Sequence, residues 1–185
     1  MPAAARFNLN FSETQLLDSL NRVSDTLWQP VIERKGKNWS GIALRSHDGD
    51  PTTMEFSGVS YQDTPVVSDT LYFKEVMDSF QCDLFRVRLL VLHPGAAIGE
   101  HTDEAAENTP DQIRLHVPII TNDKVEFIVD GERLRLSPGE VWYVDTLRPH
   151  SLRNDGDAAR VHLVIDCVVN DWVRQHLDAA MAQAA

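Results

Sequence analysis

Two histidines and an aspartate give this sequence its first chemical signal: His101 and Asp103, two residues apart, and His150 further along. In extended chain, residues i and i+2 lie on one face, about 7 Å apart along it, so His101 and Asp103 offer an imidazole and a carboxylate to one point. His150 follows Arg148-Pro149 at the start of a later strand and qualifies as the third ligand. Two imidazoles and one carboxylate are the facial donor set of non-haem iron(II) sites, and such a site keeps open positions on the metal. A bidentate 2-oxo acid and dioxygen can fill them. An isolated His-x-Asp pair is also common as a solvated loop pair, so the motif needs company.

Arg160 supplies it. This residue lies ten positions after His150, in the otherwise apolar run Val161-His162-Leu163-Val164-Ile165. A guanidinium beside a metal can clamp the distal carboxylate of a dicarboxylic acid bidentately. Burying an arginine in an apolar strand is costly without a partner. The competing partner is a structural carboxylate, Asp166 or Asp145.

The elements that position these residues are legible from periodicity. Phe85, Val87, Leu89 and Val91 alternate, as do Ile113, Leu115, Val117 and Ile119, and then Val125, Phe127 and Val129. Turn chemistry separates the runs at Pro94-Gly95, Asp130-Gly131, Ser137-Pro138-Gly139-Glu140 and Asn154-Asp155-Gly156-Asp157. About seven or eight short strands so spaced predict a mainly β sandwich or jelly roll. Residues 36–46 add an edge strand. One helix is predicted to start at Ser12, whose spacing to Gln15 is that of a capping box. A second runs from about Ser68 to Phe80, and a third opens at Asn170. The irregular acidic stretch 104–111 would sit at the mouth of the site as a lid or selectivity loop.

Residues 85–173 resemble the aspartyl/asparaginyl β-hydroxylase family of iron(II)- and 2-oxoglutarate-dependent oxygenases, which also includes small bacterial proline hydroxylases. The matching pieces are His93-Pro94-Gly95, His101-x-Asp103, Arg114-x-His116-x-Pro118, Pro138-Gly139-Glu140-x-Trp142 with Asp145, His150-x-x-x-Asn154, and Arg160 with Leu163-Val164-Ile165-Asp166. The resemblance implies a double-stranded β-helix, cupin-like, with helices on either side in sequence. It implies Fe(II) at His101, Asp103 and His150, and 2-oxoglutarate and O2 as co-substrates. Arg160 and His116 would hold 2-oxoglutarate, and Arg114 the substrate. His162 shares a strand face with Arg160 and would support the site from behind. The implied reaction hydroxylates an unactivated C–H bond of a small carboxylate-bearing molecule, an amino acid or a derivative, releasing succinate and CO2. A non-oxidative metal-binding cupin and a protein side-chain hydroxylase are the alternatives.

Length and composition agree with an enzyme of this kind. The 185 residues suit one domain, with residues 1–80 packing on a β-helix core at 81–169 and a C-terminal helix at 170–185. A formal net charge of −11 disfavours nucleic acid and anionic membranes as partners. The start shows no apolar leader segment, and two cysteines inside apolar stretches suggest free thiols in a reducing cytoplasm. The oligomeric state stays open, a homodimer included.

Overall fold

The computed structural model describes residues 2–30, 36–57, 60–103 and 112–184. The predicted lid at 104–111 lies outside the described residues. The chain runs β1 (Ala4–Asn10), α1 (Glu13–Leu20), a 3-10 turn at Asp25–Leu27, β2 (Gln29–Pro30), β3 (Gly36–Ser46), β4 (Gln62–Asp63), α2 (Val66–Asp69) and α3 (Leu71–Asp78). It continues through β5 (Leu84–His101), β6 (Gln112–Ile120), β7 (Val125–Val129), β8 (Glu132–Leu134), β9 (Glu140–Val144), β10 (His150–Asn154), β11 (Arg160–Val168) and α4 (Asp171–Ala184).

The strands form one antiparallel sheet in the order β1-β9-β6-β11-β5-β10-β7-β8, with β3 also paired to β5. This winding, barrel-like sheet is the double-stranded β-helix the sequence predicts. β5 links its two halves. Its first part pairs with β11 from Leu84↔Cys167 to Leu92↔Arg160, and its last part pairs with β10 from Ala97 to His101. The sequence reads Pro94-Gly95 as a turn between strands; in the structure it is a bend within β5, made possible by Gly95 at φ +74°. Asp130-Gly131 does close a two-residue hairpin between β7 and β8, with φ values of 52° and 80° and Val129 opposite Glu132.

Alternation along the strands sorts two environments. On β11 the odd residues Val161, Leu163, Ile165 and Cys167 join the main core with Leu115, Val117, Val87 and Leu89, packed beneath the helices through Leu16, Phe73, Val76 and Leu177. Each such fully buried aliphatic side chain contributes about 1.5–3 kcal/mol. The even residues face the interior of the winding sheet, and many are polar: Arg160, His162 and Asp166 on β11, Arg114 and His116 on β6, Arg86 and Arg88 on β5, all buried. A smaller core of Phe127, Val129, Leu136 and Val144 closes the other side of that interior.

The first helix starts as predicted, with Ser12 Oγ accepting from Gln15 N at 3.4 Å. Ser12 N, however, donates to Tyr72 Oη at 2.8 Å rather than to Gln15, so half of the capping box is replaced by a tertiary contact. The second predicted helix is broken into α2 and α3 at Thr70, whose hydroxyl bonds back to Val66 O at 2.7 Å. The third is capped by Asn170 Oδ1, which accepts from Val173 N at 3.0 Å. Among the described residues no helix is long and apolar enough to cross a membrane. Both cysteines are free thiols, Cys167 buried and Cys82 half-buried.

Candidate active site

His101 ends β5 and His150 begins β10, and the two are paired directly across the ladder. Their ring centroids are 4.2 Å apart. Each ring is oriented by a backbone carbonyl: His101 Nδ1 lies 2.8 Å from Gly99 O, and His150 Nδ1 lies 3.0 Å from Arg148 O. A carbonyl only accepts, so each Nδ1 carries the proton and each Nε2 presents a lone pair. Burial lowers the pKa of His150, against the opposing pull of Arg148 O and Asp103, and so favours the neutral, ligating form.

Asp103 completes the cluster. Its Oδ1 lies 3.6 Å from His101 Nε2 and 3.8 Å from His150 Nε2, and the candidate ligand atoms of the three residues all lie within 4.8 Å of one another. Asp103 N donates to Thr146 O at 2.9 Å, which ties this residue to the loop before β10. That loop is braced in turn: Arg148 Nε donates to Asp145 Oδ2 at 3.1 Å, and Asp130 N donates to Pro149 O at 2.8 Å. Two imidazole nitrogens and one carboxylate oxygen, already converging, suit a divalent transition metal.

Deeper on the same face lies Arg160, 3% exposed, with its guanidinium carbon 5.5 Å from the centroid of the Phe127 ring. Its Nε and Nη2 have no hydrogen-bond partner among the described residues. Burial pushes this arginine down to about 9, so it remains a cation at neutral pH. The structural alternative from the sequence, a salt bridge to Asp166 or Asp145, is not what forms. Asp166 is taken by Arg86, Arg88 and Arg114, and Asp145 by Arg148.

His116 and His162 stand beside Arg160. Their Nδ1 atoms are 3.4 Å apart, and His116 Nε2 is buried without a hydrogen-bond partner among the described residues. Burial, reinforced by Arg160, holds both rings well below the usual histidine pKa and hence neutral. Only one proton fits between the two Nδ1 atoms. If His162 supplies it, His116 carries its own proton on Nε2 and offers an N–H donor to an anion at Arg160.

Arg114 lies between two carboxylates. Its Nη1 donates to Asp103 Oδ2, and its Nε donates to Asp166 Oδ1 at 2.7 Å. Asp166 is also reached by Arg86 Nε and Arg88 Nη2, each at 3.0 Å. Burial alone would raise its pKa, but Arg114, Arg88 and Arg86 outweigh burial and hold it well below the usual carboxylate range. The sequence reading passed over Arg86 and Arg88. Their signal was two cations in the phase of β5 opposite Val87 and Leu89, a phase that only a buried anion makes tolerable.

Comparison with known proteins fits this arrangement. The chain is 29% identical over 132 residues to L-proline cis-4-hydroxylase of Rhizobium meliloti (strain 1021), covering 69% of this chain and 47% of that protein. It thus spans about half the length of that curated relative. An oxidoreductase of the 2OG-Fe(II) oxygenase family from Burkholderia pseudomallei shares the fold, with a TM-score of 0.58 at 17% identity over 84% of this chain and 77% of that one. A Pseudomonas putida prolyl-4-hydroxylase does so with a TM-score of 0.55 at 12% identity, over 90% and 91% of the two chains. The family described as aspartyl/asparaginyl beta-hydroxylase matches residues 14–169, a span that runs from α1 to the end of β11 and takes in every residue of the site above. The chain is a member of the aspartyl/asparaginyl β-hydroxylase family.

Proposed function

We propose that this protein is an Fe(II)- and 2-oxoglutarate-dependent dioxygenase that hydroxylates a small carboxylate-bearing substrate, an amino acid or a derivative of one. The observation that carries the reading is Arg160: a buried guanidinium without a carboxylate partner among the described residues, over Phe127 on the face that also bears the converging His-Asp-His cluster. A buried cation left unpaired costs several kcal/mol, roughly, and is tolerated where a ligand supplies the anion.

In this assignment His101, Asp103 and His150 hold the iron. Arg160 takes the distal carboxylate of 2-oxoglutarate, and His116 adds a donor through Nε2. Bound iron and 2-oxoglutarate supply the oxidising power from dioxygen, with succinate and CO2 as by-products. The chain's own residues bind, orient and exclude water. Gly99 O and Arg148 O fix the two imidazoles, Phe127 covers one side of the Arg160 guanidinium, and Asn154 fastens the end of β10 to Leu92 O at 3.0 Å. No side chain here is needed as a general base.

The relationship to a proline hydroxylase favours a free amino acid or a similar acid as substrate. The guanidinium groups of Arg86, Arg88 and Arg114, gathered at one end of the interior, suit an anionic substrate, and Arg114 would share its N–H groups with Asp103 and Asp166. The deciding experiment measures succinate formation from 2-oxoglutarate with Fe(II) and a panel of amino acids, related acids, peptides and whole-protein lysate. Stimulation by a small acid supports the proposal. Stimulation by lysate protein alone makes it a protein side-chain hydroxylase. A non-oxidative cupin would form no succinate with any of them, and Arg160 has no task in it.

A further inference from the structure

The two oxygens of Asp103 are sorted. Oδ1 faces both imidazoles, 3.6 Å from His101 Nε2 and 3.8 Å from His150 Nε2, whereas Oδ2 accepts from Arg114 Nη1. We infer that Arg114 is a positioning residue that keeps Asp103 a one-oxygen ligand, with Asp166 as the post that holds Arg114 in place. This inference rests on the metal assignment proposed above.

The physical argument begins with the carboxylate. A carboxylate binds a hard divalent cation through one oxygen or two, and nothing in the group itself chooses. A second oxygen on the metal would occupy one of the positions that the facial donor set leaves open. Engaging Oδ2 in a charge-assisted hydrogen bond removes it from that competition. The engagement works only if the guanidinium cannot follow the carboxylate. Arg114 cannot, because its Nε is bonded at 2.7 Å to Asp166, which is 1% exposed and gripped from β5 by Arg86 and Arg88. Strand pairing reinforces the hold, since Asp166 and Arg114 are direct partners in the β11–β6 ladder. The sequence reading expected Arg114 to meet the substrate. Its geometry gives it a task before any substrate arrives.

Mn(II) alone is a suitable probe, because 17O-enriched water broadens its paramagnetic resonance in proportion to the waters it binds. The wild-type site should hold about three waters, and Arg114→Gln should hold one fewer as Asp103 turns both oxygens to the metal. Arg114→Lys, which keeps a charged donor, should stay closer to the wild-type number. An unchanged water number in Arg114→Gln overturns the inference. In case that variant loses Mn(II) altogether, Asp166→Asn offers a second measurement. With 13C-labelled aspartate, the separation between the two carboxylate stretches of the metal-bound residue should narrow, as for a two-oxygen ligand, and an unchanged separation overturns the inference. Failure of the metal assignment would look different: Mn(II) would then bind equally well to His150→Ala.

Discussion

His150 is the direct cross-strand partner of His101, so the register of one strand pair sets the distance between two candidate iron ligands. Neither histidine depends on a flexible loop for its position. The imidazole planes are tilted by 51°, and both Nε2 atoms look toward the same carboxylate oxygen. Mixing protein, Fe(II) and 2-oxoglutarate without oxygen should therefore give the weak visible charge-transfer band of a chelated 2-oxo acid. His150→Ala should abolish it while leaving the far-ultraviolet circular dichroism intact. A full-intensity band in that variant would exclude His150 as the third ligand.

Arg160 carries two opposite expectations. Arg160→Gln should raise the KM for 2-oxoglutarate at least tenfold, because a charge-assisted bidentate pair contributes about 1.5–3 kcal/mol. Arg160→Met should make the ligand-free protein more stable, by about 1–2 kcal/mol, since it removes a buried cation whose Nε and Nη2 have no partner among the described residues. Succinate formation as a function of 2-oxoglutarate concentration tests the first, and urea unfolding of the ligand-free proteins tests the second. A less stable Arg160→Met protein would mean that the guanidinium has a structural partner after all.

Legibility in the sequence followed a physical divide. His101, Asp103, His150 and Arg160 could be singled out because their types and spacing along the chain form a motif, although the structure spreads them over the end of β5, the residues just after it, β10 and β11. β1 was passed over, although Ala5, Phe7 and Leu9 alternate with Arg6, Asn8 and Asn10, because it pairs with β9, which is remote in sequence. The break at Thr70 was hidden because buried apolar residues lie on both sides of it, Val66 and Val67 before and Phe73, Val76 and Met77 after. Arg86, Arg88 and Asp166 were invisible as a group because each lies on a different strand from at least one partner, and only sheet order β6-β11-β5 brings them together. His176, on the polar stretch of α4, is half-buried, packed on Phe7 at 5.3 Å and on Trp172 at 4.2 Å between ring centroids, contacts that depend on the fold rather than on local sequence.

The buried pair His116 and His162 makes stability depend on pH. Both folded-state pKa values are depressed, first by burial and then by Arg160. The stabilisation is thus complete above the unfolded histidine value, about 6.5, and is lost as pH falls below it, because only the unfolded chain then takes up protons. The slope contributed by the pair is at most about 2.7 kcal/mol per pH unit. Urea titrations of the metal-free protein between pH 7 and pH 5 should show this decline, and the double variant His116→Leu, His162→Leu should flatten it. Equal slopes in the two proteins would refute the expectation.

Asn154 is fully buried, and its side chain closes the turn after β10 by bonding Leu92 O at 3.0 Å and Ala158 O at 2.9 Å, while Gly156 N donates to its Oδ1 at 3.1 Å. Asn154→Ala leaves those backbone groups unsatisfied and should cost about 2–3 kcal/mol of stability. The loss should show as a lower denaturation midpoint with an unchanged denaturant slope. A loss under about 0.5 kcal/mol would mean that water replaces the amide at no penalty.

Gly95 bends β5 where the strand leaves β11 for β10, and the six residues from there to His101 hold one more than a regular ladder needs. Ile98 sits opposite Leu152 and His101 opposite His150, so three steps along β5 match two along β10. Such a shift re-aims the side chains that follow it, and here it sets the imidazole of His101 against its partner. The stretch thus carries an irregularity that a plain alternating strand would not supply. The turn at Asp155-Gly156-Asp157, on the far side of β10, sets the direction of neither histidine. Lineages that keep His101 opposite His150 are expected to keep this shift and to diversify at loops of that kind.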